Sequence, residues 1–394
     1  MKLLMVTPRY GAEVFGGAEQ AARRLAERLV ALADWEVEVA TSTARDHLSW
    51  ANYYPAGEER LGGVRVVRYP VRSGRHPDFD RIASACFVAP WALNEEEGAR
   101  LVRLQGPYCP ELIDAVASSD ADAIAFYPYL YHPSLAGVPL VAERAILHPA
   151  AHDEPMLQLS CFDRVFRSAT ALCLQTHAEA RLVARRFGVG ASRQQVLGLG
   201  IDGPEAVLEA DILRAREELG LGDHPYFAYL GRVDRLKGAH LLARCFGAYA
   251  DAQLGDEILV LAGPVAEEVP AHPRVVVTGP IPEDLKWGFL AGAVAFVCAS
   301  ALEAFCQVVV EAMAVGVPVL VNAACGATSE HVSASGAGLR FFDLASFVAA
   351  AKRLASDPAL RAEMARNGLE YARRFRWPTV VAGYSKLVAE ALGL

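Results

Sequence analysis

Lysine is scarce in this chain: Lys2, Lys237, Lys286, Lys352 and Lys386 are the only ones among 38 basic residues, and arginine supplies the rest. No domain is basic and the net charge is -8, which argues against nucleic acid as a partner. The eight cysteines (Cys86, Cys109, Cys161, Cys173, Cys245, Cys298, Cys306, Cys325) stand singly, and no two have the Cys-x-x-Cys spacing of a zinc or redox motif. Most lie in apolar runs, so they read as reduced core thiols of a cytoplasmic protein. No Gly-x-Gly-x-x-Gly follows a strand pattern, which sets a nicotinamide enzyme aside. A signal-type apolar region does not follow Met1-Lys2, and no charge-free stretch is long enough to cross a bilayer. Membrane contact is therefore expected to be peripheral at most, through Arg23, Arg24 and Arg28 on one predicted helix, and a solvated helix face is the better explanation of these arginines.

What is present is the signature of a globular α/β chain. At 394 residues, with 53% hydrophobic and 21% charged, it suits two domains of similar size. Short apolar runs alternate with helical patterns in both halves: Lys2–Thr7, Val37–Ala40, Val64–Val71, Ala123–Phe126, Ala145–Leu147 and Leu172–Thr176, then Phe227–Leu230, Ile258–Ala262, Val275–Thr278, Ala293–Cys298 and Val319–Val321. This alternation predicts two doubly wound parallel sheets. The glycine-rich run Val196–Pro204 reads as the junction, giving domains 1–200 and 201–375 and a terminal helical segment 376–394. The aromatic stretch Arg45–Arg60 reads as irregular, and either lines an acceptor pocket or packs as a long loop.

Two Asp-x-Asp pairs, Asp78/Asp80 and Asp120/Asp122, match the pattern of metal-dependent sugar transferases. Neither ends a strand, as a shared cation requires, so no metal is expected.

The most informative stretch runs from Ser300 to Asn322. A buried strand leads into a turn carrying Glu303, and a helix is predicted over Phe305–Val315 with Gly316 as its stop and Pro318 barring continuation. Glu311 lies within that helix, which would set the two carboxylates roughly 12 Å apart along its axis. A helix N-terminus between them, at Phe305, Cys306 and Gln307, offers unpaired N–H groups to a diphosphate. A second junction, Gly231-Arg232 followed by Lys237-Gly238, joins a buried strand to a helix. Its glycines admit a close ligand, while Arg232 and Lys237 supply positive charge.

In combination, Gly-Arg232-x4-Lys237-Gly and Glu303-x7-Glu311 with the following Ala-Met-Ala-x-Gly-x-Pro resemble glycosyltransferase family 4, the retaining sugar-nucleotide-dependent enzymes of GT-B fold. The likeness is strong over roughly 225–335. The family's Glu-Gly-Phe-Gly is Glu303-Ala304-Phe305-Cys306 here, and Gln307 becomes a possible extra contact. The resemblance implies two Rossmann-like domains facing each other across a cleft, with acceptor binding on the N-terminal side and donor binding on the C-terminal side. It also implies a last helix returning to the N-terminal domain. By it, Gly16-Gly17 is the acceptor-side loop, and His152, with His148 as second choice, is the histidine near the donor sugar. His132, His148 and His152 all fall at neighbouring strand ends, which favours a site. Arg232 and Lys237 oppose leaving-group charge, Glu303 meets the sugar and Glu311 the ribose. The implied reaction moves a sugar from a UDP- or GDP-linked donor to a saccharide, lipid-linked or small natural-product hydroxyl, by a metal-independent front-face route with no cofactor. A hydrolase or epimerase on the same fold is the enzymatic alternative. For a non-catalytic nucleotide-sugar binder the only hint is the replacement of the glycines by Ala304 and Cys306, and the retained Arg232, Lys237, Glu303 and Glu311 speak against it.

Overall fold

The computed structural model of the chain describes residues 1–14, 16–204, 206–252 and 255–394. Two compact units result, one made of Met1–Gly200 with Trp377–Leu394 and the other of Ile201–Arg376. None of the described helices is long and apolar enough to cross a membrane.

The first unit holds an eight-stranded sheet: β1 (Lys2–Val6), β2 (Glu36–Ser42), β3 (Gly57–Leu61), β4 (Val64–Tyr69), β5 (Ala123–Phe126), β6 (Ala145–Leu147), β7 (Ala171–Leu174) and β8 (Gln194–Val196). Their order is β3-β4-β2-β1-β5-β6-β7-β8, and every pairing is parallel except β3 with β4. Successive side chains of β1 go to opposite faces, as the pleat requires. Leu4 and Val6 join one core with Ile124, Phe126 and Leu147, while Leu3 and Met5 join another with Val37, Val39 and Ile146. The second core is covered by the helices Gly17–Ala33 and Trp377–Leu392. His148 Nε2 lies 3.2 Å from the Tyr384 hydroxyl, which ties the final helix to the end of β6.

One expectation fails here. Arg45–Arg60 is not irregular throughout, because its end forms β3 in a hairpin with β4. Gly62 and Gly63 both take positive φ (58° and 82°), as a two-residue type I′ turn demands. The Gly-Gly pair is a legible turn signal, outweighed in the sequence by the charged Glu-Glu-Arg run. That run is exposed on an edge strand, where charge discourages further pairing.

In the second unit all strands are parallel: β9 (Tyr226–Leu230), β10 (Ile258–Ala262), β11 (Val275–Gly279), β12 (Ala295–Cys298), β13 (Val319–Asn322) and β14 (Gly338–Phe341), in the order β11-β10-β9-β12-β13-β14. β8 and β14, both short and only partly buried, carry no strand signal in the sequence. In each sheet the chain winds outward from one central strand and then returns to that strand's other side. Loops leaving the carboxyl ends of the two central neighbours therefore diverge and open a crevice, at β1/β5 in one unit and β9/β12 in the other.

Because the final helix completes a core, Leu387→Ala should cost about 2–5 kcal/mol in urea unfolding, since Leu387 is buried there. The exposed neighbour Lys386→Ala should stay within about 0.5 kcal/mol.

Candidate active site

At the β9/β12 crevice the loop after β9 is tightly determined. Gly231 N–H bonds the Ala262 carbonyl at 2.9 Å, and a Cβ on Gly263 would sit 2.0 Å from the Gly231 oxygen, so only glycine allows this approach. Asp234, buried, organises the rest: Oδ2 accepts from Arg232 Nε, and Oδ1 accepts from the Lys237 backbone N–H at 2.7 Å. Gly238 takes φ 77°, and a Cβ at that position would be 2.5 Å from the Ala299 carbonyl, so this loop lies directly on the end of β12. There Lys237 Nζ meets Glu303 Oε1 at 2.7 Å. Burial works to lower the Lys237 pKa, but the charge and hydrogen bond of Glu303 outweigh it and hold the ammonium above its usual value. Gly231, Arg232, Lys237 and Glu303 are the residues the sequence pattern points to, and Asp234 is one it does not. An aspartate three residues before a lysine in a turn is the signal that could have found it.

The helix after β12 differs from expectation: it spans Gln307–Ala314, not Phe305–Val315. Phe305 is drawn out of it, its ring buried against His331 and Phe375 at centroid distances of 4.8 and 5.2 Å. Its carbonyl, an acceptor only, lies 2.8 Å from His331 Nε2, so that nitrogen carries the proton and Nδ1 accepts from Tyr371 Oη at 2.9 Å. Phe305 is thus core rather than a ligand-facing residue. Cys306 caps the helix at φ 65°, a left-handed conformation costing a non-glycine residue about 1–2 kcal/mol, and its side chain accepts no capping bond. Its Sγ is 3.7 Å from Cys298 Sγ. Gln307 is the first helical residue. The axial separation expected between Glu303 and Glu311 does not apply, because only Glu311 lies on the helix.

Glu311 is buried, with Oε1 3.0 Å from Lys286 Nζ, and Lys286 also bonds Glu283 at 2.9 Å. Each of the two glutamates thus has its own lysine. Lys286, on the helix Glu283–Ala291, belongs to no motif, and its rarity as one of only five lysines is its single signal in the sequence.

In the first unit, Gly16 caps the helix Gly17–Ala33. The buried pair Arg9–Glu19 fixes this turn, and a Cβ on Gly16 would lie 2.2 Å from Glu19 Oε2, whereas Gly17 has nothing within 4 Å. His152 follows β6 on a loop held by Glu179, which accepts the Ala151 N–H at 2.6 Å and the Gln175 N–H at 2.7 Å. His152 Nδ1 is 3.6 Å from Glu154 Oε1, which in turn accepts the Tyr129 hydroxyl at 2.8 Å. His148 is instead part of the core, stacked on Tyr127 at 4.0 Å and 21°, and burial holds its pKa down at about 3. The three histidines therefore do not form one cluster: His132 sits edge-on to Tyr108. Trp50 is core as well, donating from Nε1 to the Gln105 carbonyl at 2.8 Å, while Tyr53 remains exposed. Three of the four Asp-x-Asp carboxylates face basic side chains, Asp120 the Lys2 ammonium, Asp80 Arg75 and Asp78 Arg81, while Asp122 accepts the Lys2 backbone N–H at 2.7 Å.

His331 gives a measurable consequence. Burial lowers its pKa to about 4, so between the unfolded value near 6.5 and 4 the unfolded chain binds a proton that the folded chain does not. Stability should fall as pH drops through that window. From pH 7 to 4.5 the wild type should lose about 2.5 kcal/mol more than His331→Gln in urea unfolding.

Residues 16–200 match the family model described as "Glycosyl transferase 4-like domain", and 211–371 match "Glycosyl transferases group 1". The D-inositol 3-phosphate glycosyltransferase of Acidothermus cellulolyticus is 28% identical over 284 residues, 65% of this chain and 63% of the relative. That of Catenulispora acidiphila is 30% identical over 275 residues, covering 62% and 65%. The chain thus spans under two thirds of the length of both. Among solved structures, sucrose-phosphate synthase from Thermosynechococcus elongatus has a TM-score of 0.73 at 19% identity, covering 100% of this chain and 99% of its own. Anabaena HepE in complex with UDP and glucose has a TM-score of 0.70 at 17% identity, covering 99% and 100%. These two establish a likeness of fold.

Proposed function

This chain belongs to the group 1, family 4-like glycosyltransferases of GT-B fold, and from that we propose that it transfers a sugar from a nucleoside-diphosphate sugar to an acceptor hydroxyl. The observation that carries this reading is the Lys237–Glu303 contact, at 2.7 Å, in the crevice where the loops after β9 and β12 diverge. It lies just before the N-terminus of the Gln307–Ala314 helix.

A departing nucleoside diphosphate gathers charge on its β-phosphate. Lys237, Arg232 and the first N–H groups of that helix oppose this charge. Removing one preorganised donor of this kind costs on the order of a hundredfold in rate. Glu303 orients the Lys237 ammonium through one oxygen and takes a sugar hydroxyl with the carboxylate that remains. Glu311, held by Lys286, accepts the ribose hydroxyls. Neither carboxylate needs to act as a nucleophile, because the leaving phosphate itself takes the acceptor proton on the same face, with retention at the anomeric carbon. No metal enters this scheme. A relative named for D-inositol 3-phosphate and a neighbour solved with UDP and glucose support a UDP-linked hexose donor and a polyol or saccharide acceptor.

A thermal-shift screen of UDP, GDP and other nucleoside diphosphates, run with EDTA, should single out one base. At 100 times its Kd that ligand should add about 2.7 kcal/mol of stability. Dependence of binding or turnover on added Mg²⁺ would overturn the metal-free scheme.

The two glutamates should separate in a variant series. Glu311→Gln should weaken diphosphate binding about tenfold, because the ribose contact is present equally before and during reaction. Glu303→Gln should bind the diphosphate within about twofold of wild type, while kcat falls on the order of a hundredfold. Arg232→Ala and Lys237→Ala should lower kcat more than donor affinity. Unchanged turnover in both glutamate variants would overturn the assignment.

A further inference from the structure

Cys298, Glu303 and Cys306 present ligand atoms that all lie within 4.8 Å of one another, and neither thiol has a part in the transfer chemistry. Cys298 ends β12, where it is in register with Val321, and Cys306 sits in the cap of the next helix, so the backbone fixes both thiols. Their sulfurs are 3.7 Å apart. Zinc–sulfur bonds of about 2.3 Å at a tetrahedral angle give a sulfur–sulfur edge of about 3.8 Å, so the pair already has the spacing that a shared ion needs. A disulfide would require the sulfurs to close to about 2.05 Å.

Cys306 adds an independent reason. It holds φ 65°, which glycine adopts freely and cysteine does not, and strained residues of this kind gather where a ligand is held. Charge also balances. Two thiolates and Glu303 carry three negative charges, matched by a divalent cation together with the Lys237 ammonium. Lys237 occupies Glu303 Oε1, and the carboxylate's other oxygen serves the ion. Cys298 is buried and Cys306 partly exposed, which gives the ion a way in.

We propose that Cys298, Glu303 and Cys306 bind one soft divalent cation, zinc foremost, and that the bound ion closes the donor site. Each thiol loses its proton to solvent as its sulfur–metal bond forms, and a water completes the tetrahedron. The ion then occupies the end of the crevice where Glu303 would meet the sugar. This second half rests on the donor-site reading above; the cation site does not.

The test is a cobalt titration of the full chain under a phosphine reductant. One Co²⁺ per chain should bind, with the strong visible bands and thiolate charge-transfer absorbance of a tetrahedral sulfur-ligated ion, and one equivalent of Zn²⁺ should displace it. Cys306→Gly, which suits the left-handed cap, and Cys298→Ser should each weaken binding at least a hundredfold and reduce the charge-transfer band. Glu303→Gln should weaken it about tenfold. A pale octahedral spectrum, equal affinity in both cysteine variants, or thiols lost to a disulfide with no cobalt bands would overturn the site. Calorimetry of UDP-glucose and of UDP, with and without Zn²⁺, tests the closure: UDP-glucose affinity should fall at least tenfold in wild type and be unaffected by Zn²⁺ in Cys306→Gly. Cobalt bound as expected with UDP-glucose affinity unmoved would overturn the closure. If neither UDP nor UDP-glucose ever binds, the donor-site reading fails, while the cobalt spectrum still reports on the cation site.

Discussion

The second unit is arranged around one ammonium–carboxylate contact, Lys237 with Glu303. Placing these two side chains together requires a parallel sheet that reverses its winding direction between β9 and β12. It also requires a loop after β9 that can lie flat on the end of β12, which Gly238 permits and Asp234 holds in place. An isolated surface pair of this kind is worth little. Here its value is positional, since the backbone around each partner is fixed by other bonds before the two charges meet.

The same logic extends to the second carboxylate. Glu311 is carried by a helix, and its lysine comes from a different helix, Glu283–Ala291. A buried carboxylate is costly without a cation, and a buried lysine likewise. The pairing therefore sets how those two helices sit against each other. The two glutamates are thus held by two separate lysines in a chain that otherwise uses arginine almost throughout. A compact ammonium on a flexible stem pairs with one oxygen and leaves the rest of the carboxylate open, whereas a guanidinium fork tends to take both.

Strands that are long or wholly apolar, the junctions after β9 and β12, and the residues Arg232, Lys237, Glu303 and Glu311 are all legible in the sequence. Periodicity and turn chemistry are local properties, and these features are local. Legibility ends where a distant partner decides. Phe305 reads as the start of a helix until His331, on the helix Gly326–Ser335, takes its carbonyl and the aromatic cluster takes its ring. His148 reads as a site histidine until Tyr127 and Tyr384 enclose it. Asp234, Lys286 and Glu179 act on the backbone or on other side chains, so no ligand-binding pattern announces them. β3 is hidden because its charged residues suit an edge and not a core.

The first unit is discontinuous, its sheet made from the first 200 residues and one core face covered by a helix that begins at Trp377. During synthesis that face has nothing to receive Val380, Tyr384, Leu387 and Val388 until the whole second unit has been made. At about 5–20 residues per second the interval is on the order of ten seconds. For that time Leu3, Met5, Val37 and Val39 belong to a sheet lacking one of its two covering helices. The second unit, made without interruption, faces no such delay. The order in which the ribosome delivers the chain is thus the reverse of the order in which its halves can finish folding.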